Sequence, residues 1–400
     1  MISYEQAITD ILKNTHLLAD QQVLLCDSLG RILREDIISG IEMPPFDRSA
    51  MDGYALNSAD LKKIPAKLRC IGLIQAGDSF KKRLKRGECV KIMTGAPIPE
   101  GADCVVMVEF TKASGKEVTI LKAIQKWENI FFKGEDFKKG QCVLKKGVKI
   151  SASHVAILAA VGRKYVMVSP KPQVAVLNTG GEIIPLGVKL SKNQIYNSNG
   201  PILEALLKSD HIQPIALGIA RDNIKDLTCA IKNGLGADVL LISGGVSMGD
   251  YDLVPDALNS LGVKKIFHKV NIKPGKPLFF GIKGKTIVFG IPGNPVSNFL
   301  SYLIFTRPAI RKMMGYLNYN TEFKEGIIEK EFRAKSGRRN FVLVKILKKA
   351  GLYYLSPVAG RSSADTLSLS CADGFMMLDD GVAVMKKKSK IRFITWKTIW

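Results

Sequence analysis

The stretch Val239-Leu240-Leu241-Ile242-Ser243-Gly244-Gly245-Val246-Ser247-Met248-Gly249-Asp250-Tyr251-Asp252 decides the fold class of this chain. It opens with a short apolar run, which is typical of a strand buried on both faces of a parallel sheet. Ser243-Gly244-Gly245 then form a turn whose backbone amides can approach an anion closely, and Asp250 and Asp252 follow. In open α/β sheets, ligands bind at such strand ends. An ordinary strand-to-helix turn would have the same pattern, so the neighbouring segments are needed to distinguish it from a ligand-binding turn.

From Val174 onward the pattern alternates between strands and helices, which predicts a doubly wound α/β domain with crevices at the strand ends. Asp222 is a favourable N-cap for a helix that ends at Gly234. Pro295 begins a later helix, which Pro308 is expected to kink or end. The other elements predicted here are a strand at Val174–Leu177, a helix with Pro201 in its first turn, and a strand at Thr286–Phe289.

Short apolar runs on either side of this region predict smaller domains. Ser3 and Gln6 are spaced as a capping box for an N-terminal helix. Runs such as Cys104–Val108 predict a β-rich insertion, and Phe341–Val344 indicates a β domain near the C-terminus. The expected organisation is a small helical and mixed domain (1–40 with 145–168), a β-rich inserted domain (41–144), the α/β domain (169–318) and a C-terminal β-barrel-like domain (319–400).

The formal net charge of +23 is the unusual property of the composition. It favours anionic partners. However, the lysines lie in short runs such as Lys386-Lys387-Lys388, without interleaved aromatic residues or a nucleic-acid-binding motif. A hydrophobic content of 46% over 400 residues is that of a multidomain globular protein. The seven scattered cysteines predict reduced thiols and a cytoplasmic location, and no segment is apolar for long enough to span a membrane.

The sequence contains no Gly-x-Gly-x-x-Gly fingerprint, zinc-binding spacing or recognisable catalytic triad. Carboxylates on loops are the remaining candidates: Asp52, Asp136, Glu182, Asp222, Asp250 and Asp252. Each alone is most often a helix cap or a solvated side chain, but acids at several strand ends of one sheet can converge and hold Mg²⁺. Lys273-Pro274-Gly275-Lys276-Pro277 and Arg361-Ser362-Ser363 supply the cations and hydroxyls that phosphate oxygens need. The residues therefore predict an enzyme that binds a phosphate-bearing small molecule with a divalent metal.

Six motifs occur in order along the chain: Pro45–Ala55 (PFDRSAMDGYA), Met93–Pro97, Gly134–Asp136, Ser243–Ser247, Lys273–Pro277 and Pro292–Pro295. Together they closely resemble the MoeA/gephyrin family, the molybdopterin molybdenumtransferases of molybdenum cofactor synthesis. The resemblance extends over essentially the whole chain. It implies a reaction in which adenylylated molybdopterin and molybdate give molybdenum cofactor and AMP, with the assistance of Mg²⁺.

The resemblance also implies a homodimer, in which the site of the molybdopterin-binding α/β domain faces domains of the partner chain. A molybdopterin adenylyltransferase is the implied partner that delivers the substrate. The positions that match catalytic residues of the family are Asp52, Thr94, Asp136 and Glu182. Those expected to bind substrate are Gly244, Gly245, Ser247, Lys273, Lys276, Pro292, Pro295 and Ser363. Asp222 and Asp252 are the implied metal ligands.

The chain departs from the family pattern at two places. The family usually has Asn-Ile-Arg before its Gly-Glu-Asp, whereas this chain has Asn129-Ile130-Phe131-Phe132-Lys133, in which Lys133 is the candidate substitute for the arginine. The family's Gly-Asp-Glu is Gly180-Gly181-Glu182 here, so one acid is missing.

Three alternative functions are weighed against the transferase. A molybdopterin adenylyltransferase resembles the α/β domain but lacks the Asp52 segment and the β domains. A non-catalytic scaffold similar to part of gephyrin has no need of the acids. A nucleic-acid-binding protein is favoured only by the net charge.

The charge itself generates a test. If the basic surface only attracts small anions, the protein will bind DNA weakly and without sequence preference, and added salt will abolish the binding. Titration of labelled duplex and single-stranded DNA at two salt concentrations measures this. Tight, selective binding at physiological salt would contradict the interpretation.

Overall fold

The computed structural model describes residues 1–246, 253–334, 337–360, 362–382 and 384–397. Two residues of the expected site, Ser247 and Asp252, lie outside the described residues. The chain divides into two compact units. The larger unit comprises Met1–Arg34, Gly147–Ser151 and Tyr165–Trp400, and the smaller unit comprises Glu35–Lys146 and Ala152–Lys164.

A six-stranded sheet forms the centre of the larger unit. Its strands are β1 (Val174–Thr179), β2 (Pro214–Ala220), β3 (Val239–Ser243), β4 (Lys264–His268), β5 (Phe279–Lys283) and β6 (Thr286–Ile291). The spatial order is β2-β1-β3-β6-β5-β4. The first four strands in this order are parallel, and β5 and β4 continue the sheet antiparallel. Every residue of β3 is buried, as its apolar run predicts.

Helices cover both faces of this sheet because alternate strand residues point to opposite sides. The helices are α1 (Asn199–Ser209), α2 (Ile224–Gly234), α3 (Val254–Ser260) and α4 (Pro295–Ser301). Leu203 of α1 and Leu300 of α4 belong to the core that contains Val176, whereas Leu227 of α2 belongs to the core that contains Leu177. The predicted doubly wound arrangement is therefore confirmed.

The helical segment that begins at Pro295 continues past Pro308. It passes from α4 through a π-helical segment, Tyr302–Thr306, into a further α-helix, Arg307–Met313. Pro308 is the second residue of that last helix and follows the π-helical segment after one residue. We call the whole segment from Pro295 to Met313 the helix run. The proline thus coincides with a change of helix type and does not end the helix.

The C-terminal region forms a closed five-stranded barrel. Its strands are Lys324–Ile328, Arg339–Lys349, Leu352–Pro357, Gly374–Leu378 and Lys390–Thr395. Closure follows from the pairing of the second and fourth of these strands. A separate core that includes Val344, Leu355 and Phe393 fills the interior. The remaining elements are helix Thr366–Cys371, paired strands Phe332–Arg333 and Val384–Met385, and strand Ile272–Lys273, which joins the edge of the barrel sheet at Arg339–Asn340.

The N-terminal segment completes the larger unit. Helix Tyr4–Lys13 begins as predicted, because Ser3 Oγ accepts a hydrogen bond from the Gln6 backbone N–H at 3.1 Å. The Gln6 side chain bonds to Asp10 Oδ1, so only half of the capping box forms. The other regular elements are strand pair Gln21–Leu24 with Tyr165–Val168, turn helix Leu25–Asp27, and strand pair Ile183–Ile184 with Ile195–Tyr196.

The smaller unit is built on a curled six-stranded sheet. In spatial order its strands are Cys104–Met107, Gly53–Leu56, Glu88–Ile92, Ala66–Ile74, Glu117–Ile120 and Thr111–Ser114. Gly53 is required in this sheet, because a Cβ atom there would overlap the carbonyl oxygen of Val106. The further elements are helix Ala152–Ala160, turn helices Ser58–Leu61 and Val108–Phe110, and strand pairs Ile37–Ile38 with Cys142–Leu144 and Arg48–Ser49 with Ile130–Phe131.

The multidomain α/β fold expected from the sequence, with a β-rich domain and a C-terminal barrel, is confirmed. All seven cysteines are free. Among the described residues, no helix combines the length and apolar character needed to cross a bilayer.

Candidate active site

The carboxyl ends of four parallel strands meet at one edge of the central sheet. Thr179 at the end of β1 is in register with Ala220 at the end of β2. One position earlier on β1, Asn178 pairs with Ser243 of β3, which in turn pairs with Ile291 of β6. The four loops that follow therefore begin at the same level. From β1 the chain winds to β2 on one side of the sheet and then crosses to β3 on the other side, so the strand order reverses between β1 and β3. In open α/β sheets, ligands bind in the crevice at this position.

The turn after β3 depends on two glycines with positive φ. These are Gly244 (95°) and Gly245 (61°), which we call the glycine turn. A Cβ atom on Gly244 would overlap the Thr179 carbonyl oxygen, and one on Gly245 would lie 2.8 Å from Thr179 Oγ1. The Gly244 amide donates to the Ile291 carbonyl at 3.1 Å. The Gly245 amide makes no backbone hydrogen bond within the described part of the chain, so it is the better placed of the two to bind an anion.

Buried asparagines hold the loops around this turn. Asn298 is fully buried, and its Nδ2 donates to Ser243 Oγ at 2.9 Å. Asn199 Nδ2 donates to the Gly293 carbonyl at 2.6 Å. The sequence analysis did not single out these residues. The signal that could have identified Asn298 is a polar residue on the face of a helix that otherwise faces the core.

Some polar atoms at this edge have no partner within the described residues. They include Thr179 Oγ1, Asn178 Oδ1 and Asn298 Oδ1, all of which are buried. Buried polar atoms are normally paired with protein, water or ligand. The edge therefore has hydrogen-bonding capacity that a bound ligand or ordered water would satisfy.

Asp222 and Glu182 both lie on loops at this edge. The prediction that Asp222 caps the helix after β2 is wrong: Asn223 occupies the N-cap position and accepts a hydrogen bond from Asp226 N at 2.8 Å. Asp222 Oδ2 instead accepts from the Gly181 amide at 2.6 Å, which ties it to the loop that carries Glu182. Both carboxylates are exposed. No group of three potential metal-binding side chains occurs among the residues that the structure describes.

Four of the expected substrate-binding residues, Lys273, Lys276, Pro292 and Ser363, line a single cleft of about 590 Å³. We call it the cationic cleft, because Arg333 and Arg338 also line it. Ser363 is fixed there, since its Oγ accepts from Asn294 Nδ2 at 2.9 Å and its carbonyl accepts from Val296 N at 3.0 Å. Pro295 begins α4 immediately behind this loop and is not part of the cleft wall. The two arginines were missed from the sequence, in which no motif marks them.

The smaller unit places Asp52 in direct contact with Thr94. Asp52 Oδ1 accepts hydrogen bonds from the Thr94 backbone N–H and from Thr94 Oγ1, both at 2.7 Å. These bonds stabilise the ionised carboxylate, and with a smaller contribution from Lys91 they lower the pKa of Asp52. Both residues are exposed, so the carboxylate is available to a ligand.

The loop that carries Asp136 also belongs to the smaller unit. The Asp136 backbone N–H donates to the Met43 carbonyl at 2.9 Å, which joins this loop to the segment leading to Asp52. Lys133, the candidate substitute for the family arginine, forms an ion pair with Glu42 at 2.9 Å. The Arg48 guanidinium lies 5.5 Å from the centre of the Phe131 ring. A cation is therefore present beside Phe131, although it comes from another segment.

The fold and the site together define a multidomain α/β enzyme with carboxylates at a sheet edge and a cationic cleft. Three family models match the chain: the MoeA N-terminal region (domain I and II) at residues 2–162, a probable molybdopterin binding domain at 175–312, and the MoeA C-terminal region (domain IV) at 325–395. The chain belongs to the MoeA family.

Individual relatives agree with this assignment. The molybdopterin molybdenumtransferase of Staphylococcus epidermidis is 33% identical over 391 residues, which cover 96% of this chain and 93% of the relative. The Bacillus subtilis enzyme of the same name is 33% identical over 368 residues, which cover 90% of this chain and 86% of that enzyme. A crystal structure of a MoeA protein from Pyrococcus horikoshii has a TM-score of 0.85 and 31% identity, with both chains covered completely.

The contact between Asp52 and Thr94 generates a prediction about acidity. Thr94→Val removes the hydroxyl bond but keeps the backbone bond, so the pKa of Asp52 should rise part of the way towards its ordinary value. Because the folded-state pKa is lowered, the stabilisation is present above the ordinary pKa and is lost as pH falls through the lowered one. An NMR titration of the Asp52 carboxyl carbon measures the change.

The matched control is Thr111→Val in the same unit. The Thr111 hydroxyl donates to the Val108 carbonyl and makes no bond to the Asp52 carboxylate, although the Val108 amide donates to the Asp52 backbone carbonyl at 3.0 Å. This variant should leave the Asp52 titration unchanged. Equal Asp52 midpoints in the parent and in Thr94→Val would show that the hydroxyl bond does not hold the carboxylate.

Proposed function

We propose that this protein is a molybdopterin molybdenumtransferase that transfers molybdenum from molybdate to adenylylated molybdopterin and releases molybdenum cofactor and AMP. The observation that carries the proposal is the cationic cleft next to the sheet edge that bears Glu182 and Asp222. Molybdate and the substrate phosphates are anions, which lysine and arginine donors bind. Carboxylates nearby supply the proton transfer and metal binding that the reaction needs.

Ser363 has a specific part in this proposal. Its oxygen accepts the bond from Asn294, so its own proton is available to donate. Lys273 and Lys276 line the same cleft from another segment of the chain. An oxyanion in the cleft would accept hydrogen bonds from both segments, and the Gly245 amide would bind a phosphate at the neighbouring sheet edge.

Mg²⁺ is the divalent ion that the family resemblance implies, and the residues present fit it. Mg²⁺ in phosphate-binding sites is usually held by one or two carboxylates together with substrate phosphates and water. Asp222 uses one oxygen for the Gly181 amide, which orients the carboxylate and leaves the other oxygen for a cation. When bound, the ion would neutralise negative charge on the pyrophosphate linkage.

Proton transfer is assigned to the remaining acids. An oxygen of molybdate leaves as water when it is replaced by the two dithiolene sulfurs, and the two thiol protons balance that water. We assign Glu182 to pass these protons from sulfur to oxygen. The Thr94 hydrogen bonds lower the pKa of Asp52 and make it a weak base, so we assign this ionised carboxylate to attract a cation or to orient a protonated group.

Asp52, Thr94 and Asp136 belong to a different compact unit from the cleft. The family resemblance suggests that they act in a homodimer, on the α/β domain of the partner chain. A molybdopterin adenylyltransferase would supply the adenylylated substrate. The matches at residues 2–162 and 325–395 favour a full transferase over an adenylyltransferase, whose resemblance is confined to the α/β domain.

Reconstitution tests the proposed function. The purified chain, given adenylylated molybdopterin, molybdate and Mg²⁺, should form molybdenum cofactor and AMP. Asp52→Asn keeps the shape of the side chain but removes its negative charge, so turnover should fall by about a hundredfold or more, as expected for loss of an electrostatic contact in the transition state. Asp78→Asn, an exposed acid of the same unit that caps a turn at Gln75, is the control and should retain activity. Absence of product with the parent chain would refute the function.

The metal assignment generates a separate prediction. Asp222→Asn can keep the bond to Gly181 but removes the anionic oxygen, so the Mg²⁺ concentration needed for half-maximal activity should rise by about tenfold or more. Asp226→Asn changes an acid that bonds to the N-cap Asn223 and should leave the Mg²⁺ dependence unchanged. Identical Mg²⁺ titrations for the parent and Asp222→Asn would show that Asp222 is not a ligand.

A further inference from the structure

A second, smaller cavity lies where the helix run meets the C-terminal barrel. Its volume is about 150 Å³. Arg307 and Arg311 line it from the last helix, Lys324 from the first strand of the barrel, and Thr321 and Glu322 from the connecting segment. No residue of the cationic cleft contributes to it. Three cations therefore line a space that the proposed reaction does not use.

Arg307 is held rigidly in this cavity. Its Nε donates to Asp210 Oδ2 at 2.7 Å, and the Tyr302 hydroxyl donates to the same oxygen at 2.7 Å. Only 17% of the Arg307 side chain is exposed. A guanidinium has five N–H donors, and the terminal nitrogens of Arg307 make no hydrogen bond in the described part of the chain. Arg307 is thus oriented by Asp210 and retains donors for a ligand.

Arg311 and Lys324 take part in none of the ion pairs found among the described residues, although Glu322 lines the same cavity. They lie instead near aromatic rings, with Arg311 5.8 Å from the centre of Tyr316 and Lys324 5.6 Å from that of Tyr353. Both side chains are half-buried. Arg307 is balanced by Asp210, and Glu322 adds one negative charge to the lining, so the cavity keeps an excess of positive charge that an anion would offset.

The other polar groups define what the ligand can be. The Thr321 hydroxyl donates to the Leu303 carbonyl at 3.3 Å and the Thr395 hydroxyl to the Asp373 carbonyl at 2.7 Å, so the cations supply the free donors. Glu322 is exposed at the rim and carries the opposing charge. A volume of 150 Å³ corresponds to about five water molecules at roughly 30 Å³ each. This space fits a compact anion but not a nucleotide.

We infer that this cavity binds a tetrahedral inorganic oxyanion, of the class that includes phosphate, sulfate and molybdate, at a site separate from the cationic cleft. Arg307 is 12 residues beyond Pro295, which places it about 18 Å along the helix axis from the start of the run, at 1.5 Å per residue. The donors come from the helix run on one side and the barrel on the other. A bound oxyanion would therefore join the barrel to the α/β domain.

Calorimetric titration of the full chain tests the inference. Phosphate, sulfate and molybdate are each titrated into a Lys276→Gln background, which weakens binding in the cationic cleft. One anion per chain should still bind, and Arg311→Gln or Lys324→Gln added to this background should weaken it by about tenfold or more. Glu322→Gln should tighten it, because a like charge is removed. The oxyanion with the tightest binding identifies the preferred member of the class.

Thermal unfolding provides the second measurement. At the same concentration, this anion should raise the Tm of the background protein clearly more than that of its Arg311→Gln derivative. Unchanged affinity in both cation variants would overturn the inference, as would the absence of any heat and Tm shift in the background protein. If a cation variant fails to fold, the exposed substitution Glu322→Gln provides the test instead. Binding that is no tighter in this variant would also overturn the inference. None of these measurements depends on transferase activity.

Discussion

The close contact between the glycine turn and Thr179 is the constraint on which the active-site edge depends. Gly244 and Gly245 lie against the end of β1 without the space that a Cβ atom needs. This approach lets the Gly244 amide reach the Ile291 carbonyl, so that the ends of β1, β3 and β6 stay at one level. The loops that carry Glu182, Asp222 and Pro292 can then open at a common edge. Any larger side chain in the turn would separate the strands that position these residues.

The loop from Pro292 to Pro295 connects this sheet edge to other parts of the larger unit. Gly293 lies close to Gly244 on one side and accepts the bond from Asn199. Asn294 faces the other way and bonds to Ser363 of the C-terminal region. One short loop thus connects the sheet edge, which is rich in carboxylates, to the cleft, which is rich in lysine and arginine. Because the two charge types lie on separate segments, Glu182 and Asp222 form no ion pair with the cleft cations among the described residues.

Features that depend on local sequence could be predicted, whereas those that depend on tertiary contact could not. The buried strand at Val239, the alternating α/β pattern and the Ser3 cap follow from periodicity and capping rules. Asp222 was misassigned because Asp and Asn are nearly equal as N-caps, and only the fold shows that Gly181 approaches it from another loop. The grouping of Lys273 with Arg338 likewise requires the barrel to pack against the α/β domain, which spacing along the chain does not reveal.

The way the chain leaves and re-enters the larger unit has a consequence for how such a protein is assembled. The departure point at Arg34 and the return point at Gly147 are neighbours, since the Gly147 amide donates to the Leu33 carbonyl at 2.6 Å. At this crossing the larger unit therefore presents two adjacent chain ends, as an ordinary surface loop does, while a second, shorter excursion, Ala152–Lys164, adds a helix to the smaller unit. Loop-closure entropy increases only slowly with length, so a long insertion here imposes little cost on the receiving fold. In topological terms most of the β-rich unit is an insertion carried by a loop, so segments other than those that carry Asp52, Thr94 and Asp136 can change in length without altering the fold that receives it.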